Sequence, residues 1–176
     1  SIPVVCLTYW NPVMQYGSNG PESFLRDARK GGVSGIIVPD LPIEEGSAFS
    51  AAAAREGIAA VFLVAPTSGS SRIRAVARQS QGFIYYVSVA GTTGARAKLS
   101  SALLAGLRQV RLVTTKPVCV GFGISTPAQA VAAARSCDGV IVGSALIERM
   151  RQAGSVSEAA AAAKRFVSRL RGALGS

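Results

Sequence analysis

Apolar and polar positions form alternating blocks along this 176-residue chain. Short apolar runs rich in β-branched residues are each followed by a longer segment in which apolar residues recur at helical spacing. A last amphipathic segment, around residues 157–171, follows the sixth such pair. The pattern predicts six strand–helix units and one extra helix, with strands that start near Val4, Gly35, Ala60, Phe83, Pro117 and Gly139.

The strand-like runs, such as GIIVPD and AAVFLVAP, are apolar along their length and do not alternate with polar residues. Such runs are typical of a parallel sheet that is buried on both faces and covered by helices. We therefore expect an α/β fold of the (β/α)8 barrel type. A closed barrel of this kind usually needs about 250 residues. The prediction is a single incomplete barrel domain over residues 1–176, with the first two βα units missing.

Several residues mark helix boundaries. Proline suits a first helical position, Ser and Thr cap helix starts, and glycine follows helix ends. The alanine-rich stretch 155–163 is predicted to be helical, because Glu158 in its first turn complements the helix dipole. Boundary signals lie at Pro21, Gly31, Gly32, Gly57, Ser125, Thr126 and Pro127, and we expect Glu44 and Glu45 in a first helical turn.

Two segments predict amphipathic helices that pack on the sheet. In the first, the apolar residues fall on one face and Arg108 and Arg111 on another. The residues expected to face the sheet are Leu103, Leu104, Leu107 and Val110 in the first segment, and Phe166, Val167 and Leu170 in the second.

The net charge of +10 raises the question of nucleic acid. The arginines are dispersed through helical segments without a basic stripe that interleaves aromatics, and no nucleic-acid-binding motif is present. We therefore expect solvated helix surfaces and no nucleic-acid partner, although an acidic partner or a phosphorylated substrate fits the charge. No long apolar run or signal-peptide pattern occurs, so we expect a soluble intracellular protein and no membrane.

Histidine is absent from the chain, which excludes Ser-His-Asp and Cys-His nucleophiles and histidine-rich metal sites. The three cysteines, Cys6, Cys119 and Cys137, are scattered in apolar runs and suit buried thiols in a reducing compartment. We expect no metal site.

Ligands of parallel α/β folds meet the carboxyl ends of strands, so the residues after each apolar run are the candidates. The segments GFGIST (121–126) and VGSAL (142–146) follow the last two strands. Glycine lets backbone N–H groups approach an anion, and the helix after Gly143 adds a favourable dipole. Glycines also close tight turns for steric reasons alone, but two such turns in succession favour a phosphate site.

Three other features at strand ends have two possible interpretations each. The polar segment 88–100 is either a movable active-site loop or an ordinary surface loop. Asp40 is the one acidic residue at the end of an apolar strand, so it is either an acid–base candidate or the cap of the next helix. Tyr9 and Tyr85 could contact a ligand, but such aromatics more often pack internally.

The motifs LTYWNP, IIVPDLPIEE, FLVAPTS, GFIYYVSVAGTTGAR, KPVCVGFGIST and DGVIVGSAL, in this order, resemble the tryptophan synthase alpha subunit family. The resemblance runs over essentially the whole chain, from the third strand of that barrel to its last helix. It implies aldol cleavage of indole-3-glycerol phosphate to indole and glyceraldehyde 3-phosphate. It also implies a beta subunit as partner, and no cofactor, because pyridoxal phosphate belongs to the beta subunit.

The resemblance also implies roles for particular residues. The substrate phosphate would be held by Gly121, Phe122, Gly123, Gly143 and Ser144. The indole pocket would be lined by Leu7, Tyr9, Ile37, Pro39, Tyr85 and Phe122, and a mobile loop would contain Gly91, Thr93 and Gly94. Asp40, Leu41 and Pro42 would lie near the beta subunit, which makes Asp40 an interface residue more than a catalyst.

The family's acid–base glutamate and its indole-binding aspartate precede the segment that matches Ser1, so we assign no catalytic residue and expect the isolated chain to be inactive. The loop sequence favours a plant or algal plastid stroma, and the cytoplasm is the other expected location. A noncatalytic module that binds phosphate ligands or docks on a beta subunit is the alternative. Another phosphate-binding barrel enzyme is disfavoured by the PDLPIEE and TTGAR segments.

Overall fold

The paired strands of the described residues all run parallel. The computed structural model describes residues 2–87, 101–121 and 123–175. One sheet has the order β1-β2-β3 and the other the order β4-β5-β6-β7. The strands are β1 (Val4–Leu7), β2 (Val33–Ile37), β3 (Ala59–Val61), β4 (Leu63–Val64), β5 (Ile84–Val87), β6 (Val118–Gly121) and β7 (Gly139–Ile141).

Helices follow the strands along the chain, as expected for βα units. They are α1 (Trp10–Met14), α2 (Pro21–Lys30), α3 (Gly46–Arg55), α4 (Ser70–Gln79), α5 (Ser101–Arg111), α6 (Pro127–Ala134), α7 (Ser144–Arg151) and α8 (Val156–Leu174). The predicted six units and additional last helix are therefore confirmed, and α1 is an extra short helix that the sequence pattern did not indicate.

β3 and β4 together form the one strand predicted near Ala60, with a break at Phe62. The backbone N–H of Phe62 donates to the Ser80 hydroxyl at 3.0 Å instead of to a neighbouring strand. Its carbonyl accepts the N–H of Tyr85 at 3.1 Å. The chain thus passes at Phe62 from pairing with β2 to pairing with β5.

The two faces of the strands differ in burial. Side chains on the outer face, such as Ile36, Val64, Tyr86 and Val118, are fully buried in the core beneath the helices. The inner face is more open, since Val5 and Leu7 are exposed and Tyr85 is only half-buried. The expectation of burial on both faces is therefore wrong for these residues, because the helices cover one face only.

Most predicted helix boundaries are confirmed. Pro21 and Pro127 begin α2 and α6, and Thr126 caps α6 by accepting the N–H of Gln129. Gly32 and Gly57, with φ of 84° and 67°, follow helix ends in the left-handed region that glycine tolerates. The alanine-rich segment belongs to α8, whose cap Ser155 accepts the N–H of Glu158.

Two boundary details differ from the prediction. Glu44 and Glu45 precede α3, which begins at Gly46, so neither lies in its first turn. In α8, Phe166 and Leu170 are buried, but Val167 is 50% exposed because it lies one residue, about 100°, around the helix from Phe166.

Candidate functional site

The two glycine-rich turns lie side by side at the carboxyl ends of adjacent strands. Gly121 of β6 is paired in register with Ile141 of β7, and two residues beyond these strand ends in sequence lie the exposed glycines Gly123 and Gly143. Gly123 has φ of 77°, which favours glycine at that turn. Because paired strands are about 4.8 Å apart, the turns can contact the same small anion.

The helices after these turns differ in how their first N–H groups are used. At α6, the N–H groups of Ser125 and Thr126 both donate to the side chain of Gln129, at 2.9 and 3.2 Å. At α7, the cap residue is Gly143, and no side-chain cap occurs among the described residues. Ser144, the first residue of α7, is exposed. The start of α7 can therefore bind an anion, because its cap residue and first residue are exposed and no side chain caps it among the described residues.

Gln129 is a residue that the sequence analysis missed. Its carboxamide holds the segment 125–126 and forms a capping box with Thr126. The signal was present as Thr126 followed three residues later by Gln129, the spacing of a capping box. Gln129 thus fixes the backbone just after the first glycine-rich turn.

Tyr85 lies directly against the first glycine-rich turn. Its ring occupies the space that a Cβ atom at Gly121 would need, with Cζ 2.7 Å from that position. Burial raises the pKa of the Tyr85 phenol, so the hydroxyl stays protonated and can donate a hydrogen bond at neutral pH. A residue predicted for the indole pocket therefore adjoins one predicted for the phosphate site.

The other predicted pocket residues lie near the ends of β1 and β2. Leu7 and Ile37 are paired in register. Ile37 is 6% exposed, whereas Leu7 and Tyr9 are 56% and 63% exposed, and Pro39 is exposed as well. These residues form a second group, separated from Tyr85 by β3 and β4, and the described residues do not enclose Leu7 or Tyr9.

Asp40 makes a contact that the sequence did not indicate. Its carboxylate accepts the backbone N–H of Trp10 at 2.8 Å, across 30 residues of chain. It therefore caps α1 and joins the turns after β1 and β2. The alternative that it caps the next helix is wrong, because the cap residue of α3 is Glu45.

The three residues predicted near the beta subunit differ in exposure. Asp40 and Pro42 are exposed. Leu41 is 4% exposed and belongs to the core, so its side chain offers no surface to a partner.

Some predicted site residues lie outside the described residues. They are Phe122, proposed for both phosphate and indole contacts, and the loop residues Gly91, Thr93 and Gly94.

Cysteines and acidic residues do not assemble into a metal site within the described ranges, where no group of three or more His, Cys, Asp or Glu could hold an ion. The three cysteines are free thiols. Burial raises the pKa of both Cys119 and Cys137, which keeps them protonated and unreactive.

No helix in residues 2–87, 101–121 and 123–175 is long and apolar enough to cross a membrane.

The sequence is similar to curated tryptophan synthase alpha chains. One from Geobacter sulfurreducens is 45% identical over 175 residues, covering 99% of this chain and 65% of the relative. One from Picosynechococcus is 44% identical over 173 residues, covering 98% of this chain and 64% of the relative. The chain thus spans about two thirds of the length of these relatives.

Solved structures agree in fold. The chain superposes on one chain of a structure of the tryptophan synthase α2β2 complex from Pyrococcus furiosus, with a TM-score of 0.87 and 37% identity, covering 97% of this chain and 67% of that chain. An alpha chain from Legionella pneumophila gives a TM-score of 0.84 at 33% identity, covering 98% and 63%. The expected fold class is therefore confirmed.

The sources of these relatives bear on the expected location. Those named here are bacterial or archaeal, so the plastid expectation gains no support. The family model of the tryptophan synthase alpha chain matches residues 1–173. Together with the identities above, this match shows that the chain belongs to the tryptophan synthase alpha chain family.

Proposed function

We propose that this chain supplies the phosphate-binding part of an active site that cleaves indole-3-glycerol phosphate to indole and glyceraldehyde 3-phosphate. The observation that carries the proposal is the uncapped, exposed start of α7 at Gly143 and Ser144, beside the turn at Gly121 and Gly123. A dianionic phosphate there would accept hydrogen bonds from backbone N–H groups and lie at the positive end of the helix dipole. Phe122 is proposed for the same turn.

The indole part of the substrate would lie over the inner face of the strands. Contact between Tyr85 and Gly121 supports one continuous site, because a phosphate at the turn places the attached organic group beside the phenol. Apolar side chains at Leu7 and Ile37, with Tyr9 and Pro39 beyond them, would cover the ring. The segment containing Gly91, Thr93 and Gly94 is proposed as the loop that closes over the substrate.

The acid–base step would come from residues other than these 176. The sole strand-end carboxylate, Asp40, is already bonded to the Trp10 N–H at 2.8 Å, which favours a structural role. A polypeptide limited to these residues should bind phosphate ligands but release no indole. Extending it with the two strand–helix units that begin the family's barrel should restore indole release.

Indole release from indole-3-glycerol phosphate by the short and extended polypeptides tests this assignment. Release by the extended form alone supports it. Release by the short form would contradict it. The variant Asp40→Asn would then show whether Asp40 supplies the acid–base step.

Phosphate binding is tested separately with glycerol 3-phosphate and the variant Ser144→Asp. A carboxylate at the start of α7 should repel the ligand and weaken binding about tenfold or more. Ser157→Asp is the matched control, because Ser157 is also an exposed serine in a first helical turn but lies in α8. Equal binding by both variants would place the phosphate elsewhere.

A beta subunit is the proposed protein partner, since the Pyrococcus furiosus relative was solved as an α2β2 complex. The exposed residues Asp40 and Pro42 support a contact near the end of β2. Pro42→Lys should weaken co-elution with a beta subunit, whereas Pro66→Lys, at an exposed proline after β4, should not.

A noncatalytic module is the second candidate. The one observation that favours it is that the Asp40 carboxylate already accepts the N–H of Trp10. It predicts phosphate or beta-subunit binding with no indole release even from the extended polypeptide. The single-domain extent over 1–176 and an intracellular location remain part of the proposal.

A further inference from the structure

A cleft of about 470 Å³ lies between α1, α2 and α3. It is lined by Trp10 from α1, Pro21 and Glu22 at the start of α2, and residues of α3. This volume falls within the range that accommodates small organic ligands. The cleft is separate from the glycine-rich turns and from Tyr85, none of which lines it.

Part of its wall is apolar, beside the polar side chains of Asn19, Glu22, Glu45 and Arg55. Trp10 and Phe49 meet edge to face, with ring centroids 5.4 Å apart and planes at 80°. Small, exposed side chains at Ala48 and Ala51 leave the adjoining surface of α3 open, whereas Phe49 and Ala52 are buried behind it. Such a surface suits an apolar or aromatic group, because contact with it removes apolar area from water.

The charges at the cleft leave one carboxylate unpaired. Arg55 and Glu22 form an ion pair at 3.8 Å. Glu45 also lines the cleft but has no ion-pair partner among the described residues, and its side chain does not cap α3. The lining therefore carries a net negative charge, although the whole chain carries +10.

We propose that this cleft binds a small molecule with an aromatic body and a protonated amine. The ring would pack against Trp10 and the small side chains of Ala48 and Ala51, and the ammonium group would pair with Glu45. This site goes beyond the proposed lyase function and does not depend on it. The Asp40 carboxylate bonded to the Trp10 N–H also connects the cleft wall to the end of β2.

The experiment uses phenethylamine as the probe and the fluorescence of Trp10, the sole tryptophan of the chain, as the signal. We expect a saturable change in emission with a dissociation constant on the order of 1 mM, typical of a ligand of this size. Absence of a saturable change would overturn the proposal. 2-Phenylethanol has a similar shape without the charge and should bind at least threefold more weakly. Equal binding of the two would refute the role of Glu45.

Two variants locate the probe. Ala51→Leu should fill the cleft and weaken phenethylamine binding at least fivefold. Ala54→Leu is the matched control, because Ala54 is exposed on the same helix but does not line the cleft. Circular dichroism and thermal unfolding show whether each variant is folded, and Glu45→Gln provides a further test that leaves the cleft volume unchanged. Binding by Ala51→Leu as tight as by Ala54→Leu would overturn the assignment, as would wild-type affinity in Glu45→Gln.

Discussion

The hydroxyl of Tyr86 is buried against α5 without a hydrogen-bond partner in the part of the chain that the structure describes. An unpaired buried hydroxyl costs free energy, because folding removes it from water without compensation. We predict that Tyr86→Phe leaves the free energy of unfolding unchanged or raises it by up to about 1 kcal/mol. Urea unfolding would measure this difference, and a loss of stability would mean that the hydroxyl has a partner.

Gly106 of α5 makes room for that phenol. A Cβ atom at Gly106 would overlap the Tyr86 hydroxyl and lie 2.9 Å from its Cζ. Gly106→Ala should therefore lower the free energy of unfolding by about 1–3 kcal/mol, even though alanine favours helices. In the Tyr86→Phe background the loss should be smaller, because the overlapping oxygen is gone. Equal losses in both backgrounds would contradict this contact.

Lys116 stabilises the end of α4 by binding backbone carbonyls. Its ammonium group donates to the carbonyls of Ala77, Arg78 and Ser80 at 2.8, 3.3 and 2.6 Å. Lys116→Met should lower the free energy of unfolding by about 2 kcal/mol, since charged hydrogen bonds are lost. Lys164→Met, at an exposed position of α8, should change it by less than about 0.5 kcal/mol. Thermal unfolding of the two variants would test the difference.

Single residues could be predicted where their role is local. Thr126 and Ser155 follow from cap patterns within four residues of chain. The contacts of Lys116 and Asp40 could not, because their backbone partners lie 30 or more residues away. A lysine that binds carbonyls leaves no signature in composition or periodicity.

At the scale of elements, Asp138 joins α5, β6 and β7. Its carboxylate accepts the N–H of Val118 at 2.7 Å and pairs with Arg111, whose guanidinium also donates to the Lys116 carbonyl. The Val118 hydrogen bond and the Arg111 side chain lower the pKa of Asp138 below its ordinary value of 3.8. A lowered carboxyl pKa adds stability that is complete above the ordinary value and disappears as pH falls through the folded-state value.

Asp138→Asn tests this linkage. At pH 7 the variant should be less stable by about 1 kcal/mol, a modest figure because solvent screens the half-exposed pair. The difference should shrink as pH falls below about 4, because the unfolded state takes up a proton first and the folded carboxyl follows only at its lower pKa. Urea unfolding at several pH values would measure it. A difference that stays constant with pH would show that the charge of Asp138 does not contribute.

Elements were predictable where the hydrophobic period was long and clear. α1 was not, because five residues containing Pro12 are too short to show a helical period. The division of one strand into β3 and β4 depends on a hydrogen bond from Phe62 to Ser80, which no local pattern encodes. Apolar strands predicted burial on both faces, yet periodicity cannot tell whether a second layer covers the inner face.

At the scale of the whole molecule, the open inner face and the glycine-rich turns proposed for phosphate belong to the same architecture. Glycines at the ends of β6 and β7 were recognisable because strand order alone places them together. The enclosure of the proposed indole pocket could not be recognised in the same way. Leu7 and Tyr9 are exposed, and the described residues do not cover them. The chain spans 65% of the length of the relative from Geobacter sulfurreducens.

The first strand makes a polypeptide of these residues prone to self-association. β1 pairs with one neighbour among the described strands, and Val4, Val5 and Leu7 are 53%, 41% and 56% exposed. No charged residue occurs before Glu22, so no charge protects this edge from pairing with another chain. Antiparallel pairing of β1 from two copies would satisfy its free backbone groups and cover these side chains.

Sedimentation velocity over a range of protein concentrations would measure this association. We predict a dimer that grows with concentration and a marked loss of dimer in Val4→Lys, because a lysine on the edge opposes pairing. Ala54→Lys adds the same charge on exposed α3 and should leave the dimer unchanged. If both lysine variants weaken association equally, net charge and not the β1 edge controls it. A monomer at every concentration would show that the edge is protected in some other way.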